Sequence, residues 1–140
     1  MEPPGAVPEV MVACTHQNLG VFADALRGAV RLVPVREEDE AIGMLDRSLP
    51  RLLVCTLRFD ESRMLDFVAV ARARHPGLRW ICCRTFTSDL DPVSLDAAFV
   101  AARSLGALEV VDLPELEGTL GTVAARERLR TLLLSHVRDA

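Results

Sequence analysis

An open α/β fold, with a doubly wound five-stranded parallel sheet between two layers of helices, is predicted by three observations. Five short apolar runs of strand length are continuous rather than alternating, the pattern of strands covered on both faces. Each is followed by a segment whose apolar residues recur at helical spacing. The turns between them are short and polar, so successive strands join by right-handed β-α crossovers.

The elements follow in order. Residues 1–8, Met-Glu-Pro-Pro-Gly-Ala-Val-Pro, form a proline-rich lead-in expected to be poorly ordered, and residues 9–140 form one domain. Val10 to Cys14 is the first strand, ending in the polar turn Thr15-His-Gln-Asn18; Leu19, Phe22, Leu26 and Val30 then mark a helix over 18–29. Val30 to Val35 is β-branched and carries Pro34, which cannot donate a ladder hydrogen bond and so marks an edge strand. Glu37-Glu-Asp-Glu40 suits a helix start, where acids complement the dipole, and Ala41, Ile42, Leu45 and Leu49 give that helix its buried stripe.

Pro50 opens the central strand, which turns polar at Thr56. A helix is expected from Glu61 to Arg74, with Asp60 or Ser62 as its N-cap, stopped by His75-Pro-Gly77. Leu78 to Cys83 is the fourth strand. The loop Thr87 to Pro92 offers several N-caps, with Pro92 suited to the first turn of a helix over 93–104. Leu108 to Asp112 is the fifth strand. The last helix is expected over Glu117 to Val137, its first turns weakened by Gly118 and Gly121.

Composition narrows function more than it defines it. The 140 residues carry a net charge of −4, which gives no general attraction to nucleic acid or to an anionic membrane. Lys and Tyr are absent, which removes Schiff-base lysine chemistry and a tyrosine acid. Cys14, Cys55, Cys82 and Cys83 lie in apolar runs without CxxC spacing, so core packing is expected rather than disulfides, zinc or a redox site. No signal-peptide pattern or membrane-spanning run is seen, and a cytoplasmic protein of bacterial type is the expectation.

Five β-α units of this spacing, with Pro50 two residues before the third strand's apolar core, His75-Pro-Gly-Leu78, Gly106-Ala107 and Pro114, resemble the receiver domain of bacterial response regulators. The resemblance implies a flavodoxin-like three-layer sandwich with strand order 2-1-3-4-5. It also implies where a phosphorylation pocket would stand. The acidic pair of that family falls on Cys14 and Thr15, the phospho-accepting Asp on Thr56, the hydroxyl on Arg84 or Thr85, and the lysine on Leu113. Mg²⁺ wants hard oxygen ligands, usually carboxylates, and these positions supply none. Asp60 could substitute only if its loop folded back.

The resemblance therefore implies a degenerate receiver: no metal, no cofactor, no catalysis, and a function in binding another protein. A homodimer through the helices over 93–104 and 117–137 belongs to that expectation, and nucleic acid and membrane do not. Arg58, Phe59 and Arg63, just beyond the central strand, are candidate partner contacts, since arginine and aromatics are enriched at interfaces. His16 supplies the contrasting reading. Cys14-Thr-His-Gln-Asn-Leu-Gly20 is similar to the site where the A domain of mannose-class sugar phosphotransferase systems carries its phospho-accepting histidine, although Gln17 stands where that family has glycine. It is also faintly similar to the cobalamin-binding Asp-x-His-x-x-Gly, with Cys14 in place of the acid.

Overall fold

A computed structural model describes residues 7–86 and 91–139. Five parallel strands form one sheet: β1 (Glu9–Ala13), β2 (Arg31–Val35), β3 (Leu52–Thr56), β4 (Trp80–Arg84) and β5 (Val110–Asp112). Their order is β2-β1-β3-β4-β5, with β2 and β5 at the edges. Pro34 lies on the edge strand, as a residue without an amide proton must, opposite Val12.

Seven helices are described: α1 (His16–Ala25), α2 (Glu38–Arg47), α3 (Phe59–Ser62), α4 (Met64–Arg74), α5 (Pro92–Ser104), α6 (Leu113–Leu120) and α7 (Thr122–Arg138). Side chains alternate across each strand and so divide the interior in two. Val10, Val12, Leu52, Val54, Ile81 and Val111 pack beneath α1 and α7 with Phe22, Leu129 and Leu133. Met11, Leu53, Trp80 and Cys82 pack on the opposite face beneath α2, α4 and α5, with Leu45, Phe67 and Ala102. All of β3 is buried, which is why its run reads as uniformly apolar.

Three expectations change. The helix expected from Glu61 begins two residues earlier and breaks at Arg63, because the single turn α3 carries Phe59 inward before α4 sets its own axis. The last helix divides at Gly121, whose φ of 85° lies where an L side chain is strained. Its first part starts at Leu113, since Asp112 accepts a hydrogen bond from the Glu115 amide and Pro114 fits the first turn. At the N-terminus, the Pro8 carbonyl accepts the Arg31 amide at 2.8 Å, so the end of the lead-in is tied to the sheet. Residues 1–6, and Thr87 to Leu90 of the capping loop, lie outside the described residues; α5 is capped by Asp91, which accepts the Ser94 amide at 2.8 Å.

The four cysteines follow the alternation. Cys14 and Cys83 belong to the α1/α7 side, Cys55 and Cys82 to the other, and all four are free and buried. Burial pushes every one of these thiols up, Cys14 to about 11 and Cys82 to about 12. Among the described residues no helix is long and apolar enough to cross a membrane.

Candidate functional site

The carboxyl ends of the central strands are where an open α/β sheet binds ligands, and the residues singled out from the sequence gather there. Thr56 ends β3 and is buried; its hydroxyl donates to the Ala13 carbonyl on the neighbouring strand at 3.3 Å. Cys14 follows β1 and is also buried, its amide donating to the Val35 carbonyl at 3.1 Å. Desolvation raises its thiol, while the Arg36 guanidinium works in the opposite direction. Thr15 is the extended N-cap residue of α1, and its carbonyl receives the Asn18 amide at 3.1 Å.

Thr85 comes directly after β4 and turns inward. Its hydroxyl donates to Oδ1 of Asn18 at 2.6 Å, joining the end of β4 to the first turn of α1. Both residues are buried. Arg84, the last residue of β4, sends one guanidinium nitrogen to both carboxylate oxygens of Asp112 at 3.1 Å. Of the two residues matched to the hydroxyl position, Thr85 is buried against Asn18 and Arg84 belongs to an ion pair with Asp112. Leu113 opens α6 and is wholly buried on the α1/α7 side.

The two carboxylates nearest in sequence to this edge are both engaged. Asp112 holds Arg84 and caps α6. Asp60, expected as a cap for its own helix or as a metal ligand if its loop folded back, does something else. Its Oδ2 accepts the Glu38 amide at 2.8 Å, so it caps α2, a helix 22 residues earlier. It does so with φ of 45°, a left-handed conformation that Asp tolerates better than most residues. Among the described residues no group of three or more His, Cys, Asp and Glu is arranged to hold a metal ion.

His16 is exposed at the start of α1, with Nδ1 3.0 Å from a guanidinium nitrogen of Arg36. Arginine can only donate, so Nδ1 is the acceptor and the neutral ring carries its proton on Nε2. Beyond β3, Arg58 and Arg63 are exposed, but Phe59 is wholly buried and stacks near Phe67 with ring centroids 4.9 Å apart. Phe59 is a core residue, which corrects its place among the partner contacts.

Asn18, Arg36 and Asp112 were not singled out from the sequence. Asn18 sat in a stretch already read as a polar turn. Asp112 had one signal, a charge at the end of a strand next to one ending in Arg84.

No family model matches the chain, and no curated protein does either. Solved structures do. A phosphorylated cyanobacterial phytochrome response regulator superposes with a TM-score of 0.70 at 13% identity, covering 93% of this chain and 96% of that one. The fold is that of response-regulator receiver domains. A CheY-like receiver domain protein from Methanospirillum hungatei gives 0.67 at 11% identity over 96% of this chain and 100% of its own. An orphan response regulator of H. pylori gives 0.66 at 14% identity, over 96% and 99%. At these identities the likeness fixes the receiver fold. In that fold the residues described above occupy the edge where β1, β3 and β4 end.

Proposed function

We propose that this chain is a degenerate receiver of a bacterial, cytoplasmic signalling system, which acts by binding another protein and does so independently of phosphorylation. The observation that carries this reading is Thr56. It stands at the end of β3, buried, with its hydroxyl turned to the Ala13 carbonyl, where the resemblance would place a phospho-accepting carboxylate. Cys14 and Thr15 offer a thiol and a hydroxyl where a divalent cation would want carboxylates. Asp60 and Asp112 are occupied with helix caps and Arg84.

On this reading the chain catalyses nothing, and its output is a surface. Arg58 and Arg63 remain exposed beyond β3 and are available to an acidic partner face. The test is incubation of the whole chain with acetyl phosphate and Mg²⁺, followed by intact mass measurement. The expected result is an unchanged mass. Addition of one phosphoryl group on Asp60, or an acid-labile one on His16, refutes phosphorylation independence; the second would favour a phosphocarrier.

A further inference from the structure

Two thiols and a thioether meet in the core between the sheet and α4. Cys55 and Cys82 are opposite one another on the parallel strands β3 and β4. Both side chains lie on the side of the sheet that α2, α4 and α5 cover, and both are wholly buried. As register partners they stand one strand spacing apart, about 4.8 Å. Met64, the first residue of α4, closes the group, with its Sδ 3.6 Å from Sγ of Cys82. The Cys55 thiol meets the Thr56 carbonyl at 4.0 Å, a contact weak enough to be exchanged for a stronger one.

That donor set is soft. Among the described residues no third His, Cys, Asp or Glu joins the two thiols in a metal-holding group, so the closed tetrahedron that zinc takes is not on offer. Thiolates with a thioether select copper(I) instead. Three sulfurs bound to one ion at about 2.3 Å and trigonal angles stand about 4 Å apart, and the Cys82–Met64 pair is already close to that spacing. Cys55 reaches the same ion by rotation about its Cα–Cβ bond. Binding is a proton exchange: Cu⁺ and two thiols give a bis-thiolate complex of charge −1 and release two protons. The Arg103 guanidinium acts on Cys82 in the direction of ionisation, so that charge has a counterion at hand. The break between α3 and α4 supplies the way in. α3 is a single turn, neither helix has a side-chain cap, and Met64 directly follows the break. Such a segment opens locally at low cost.

We infer that Cys55, Cys82 and Met64 form a copper(I) site that ties β3, β4 and α4 together. The site uses none of the side chains of Thr56, Thr85 or Arg84, and it does not depend on the protein-binding reading above. Copper retention and phosphorylation are measured separately, so the failure of either leaves the other standing.

The test is anaerobic titration of the intact, reduced chain with the copper(I) acetonitrile complex against a chromogenic copper(I) chelator, with far-UV circular dichroism to show that each variant is folded. The unmodified chain is expected to withhold one copper(I) from the chelator. Cys55→Ala and Cys82→Ala should each weaken retention by about 100-fold, and Met64→Leu, which keeps the core volume, by about tenfold. Cys14→Ala and Cys83→Ala, on the other side of the sheet, should leave it within about twofold. Because two protons leave, the apparent affinity should rise about 100-fold per pH unit between about pH 6 and 8, against about tenfold for a site with a single thiol. Copper that the chelator removes completely, a loss shared by Cys14→Ala or Cys83→Ala, or a tenfold pH dependence overturns the inference. Should a cysteine variant fail to fold, Met64→Leu and the pH dependence decide it, and parental retention by Met64→Leu overturns the site.

Discussion

Asp60 joins the loop after β3 to the start of α2, and replacing it separates two effects that oppose each other in one residue. Its carboxylate accepts the Glu38 amide at 2.8 Å in a part-buried setting, a charge-assisted cap whose loss costs about 1.5 kcal/mol. Its φ of 45° is unfavourable for any residue with a Cβ, by about 1 kcal/mol. Asp60→Ala loses the cap and keeps the strain, without the local polar contacts that let Asp visit this region, for a destabilisation of about 2 kcal/mol. Asp60→Gly loses the cap but relieves the strain, partly offset by a more flexible unfolded chain, for about 1 kcal/mol. Asp60→Asn keeps an acceptor and removes a negative charge facing Glu38, Asp39 and Glu40, so it should fall within about 0.5 kcal/mol of the parent. Urea unfolding at constant slope measures the series. An Ala variant as stable as the parent, or an Asn variant as damaged as Ala, would refute the assignment of Asp60 as the cap of α2.

Two further outcomes follow from the packing. A Cβ at Gly106, where φ is 87°, would lie 2.7 Å from a guanidinium nitrogen of Arg72, which bonds the Leu78 carbonyl at 2.6 Å; Gly106→Ala should cost about 2 kcal/mol, and only about 1 kcal/mol in an Arg72→Ala background, a difference a double-mutant cycle reads directly. Burial raises all four thiols above their unfolded values, so the folded chain holds these protons more tightly. Stability should therefore be whole below the unfolded thiol range near pH 8.5 and fall as pH rises through it. An aromatic disulfide reagent at pH 8 should find no reactive thiol in the native chain and four after denaturation; rapid native labelling of Cys55 or Cys83 would contradict their burial.

The sheet was legible because burial on both faces leaves a local mark: β1, β3 and β4 are uninterrupted apolar runs, and Pro34 betrays the edge strand. The ends of helices were less so. Leu113-Pro114 reads as a break, although Asp112 before it and Pro114 within it are what start α6. The candidate site was legible as a set of positions through the resemblance to receiver domains, which implies that Cys14, Thr56, Thr85 and Leu113 stand at one edge of the sheet. Its bonds were not. Thr85 meets Asn18 across 67 residues and Asp60 meets Glu38 across 22, and neither pair leaves a periodic signal. Phe59, between Arg58 and Asp60, has polar neighbours on both sides, and only the turn of α3 sends it into the core.

On the proposed reading, the chemistry of the pocket positions lets this edge of the sheet pack without charge at its centre. Carboxylates gathered at one point repel and must be neutralised by a cation or by protons. A thiol, two threonine hydroxyls and a leucine carry no charge, so they can be withdrawn from water at the cost of desolvating a few polar atoms. The hydroxyls are satisfied internally, Thr56 by Ala13 and Thr85 by Asn18, which removes most of that cost. The charges that remain are placed at the rim and balanced, Arg84 against Asp112 and Asp60 against the α2 amide. Of the cations near these positions, Arg84 is paired with Asp112 and Arg36 lies 3.0 Å from Nδ1 of His16, while Arg58 and Arg63 are exposed beyond β3. On the proposed reading, then, the edge that would serve as a switch serves as packing. What the chain presents to a partner on that reading is the exposed pair Arg58 and Arg63 beyond β3.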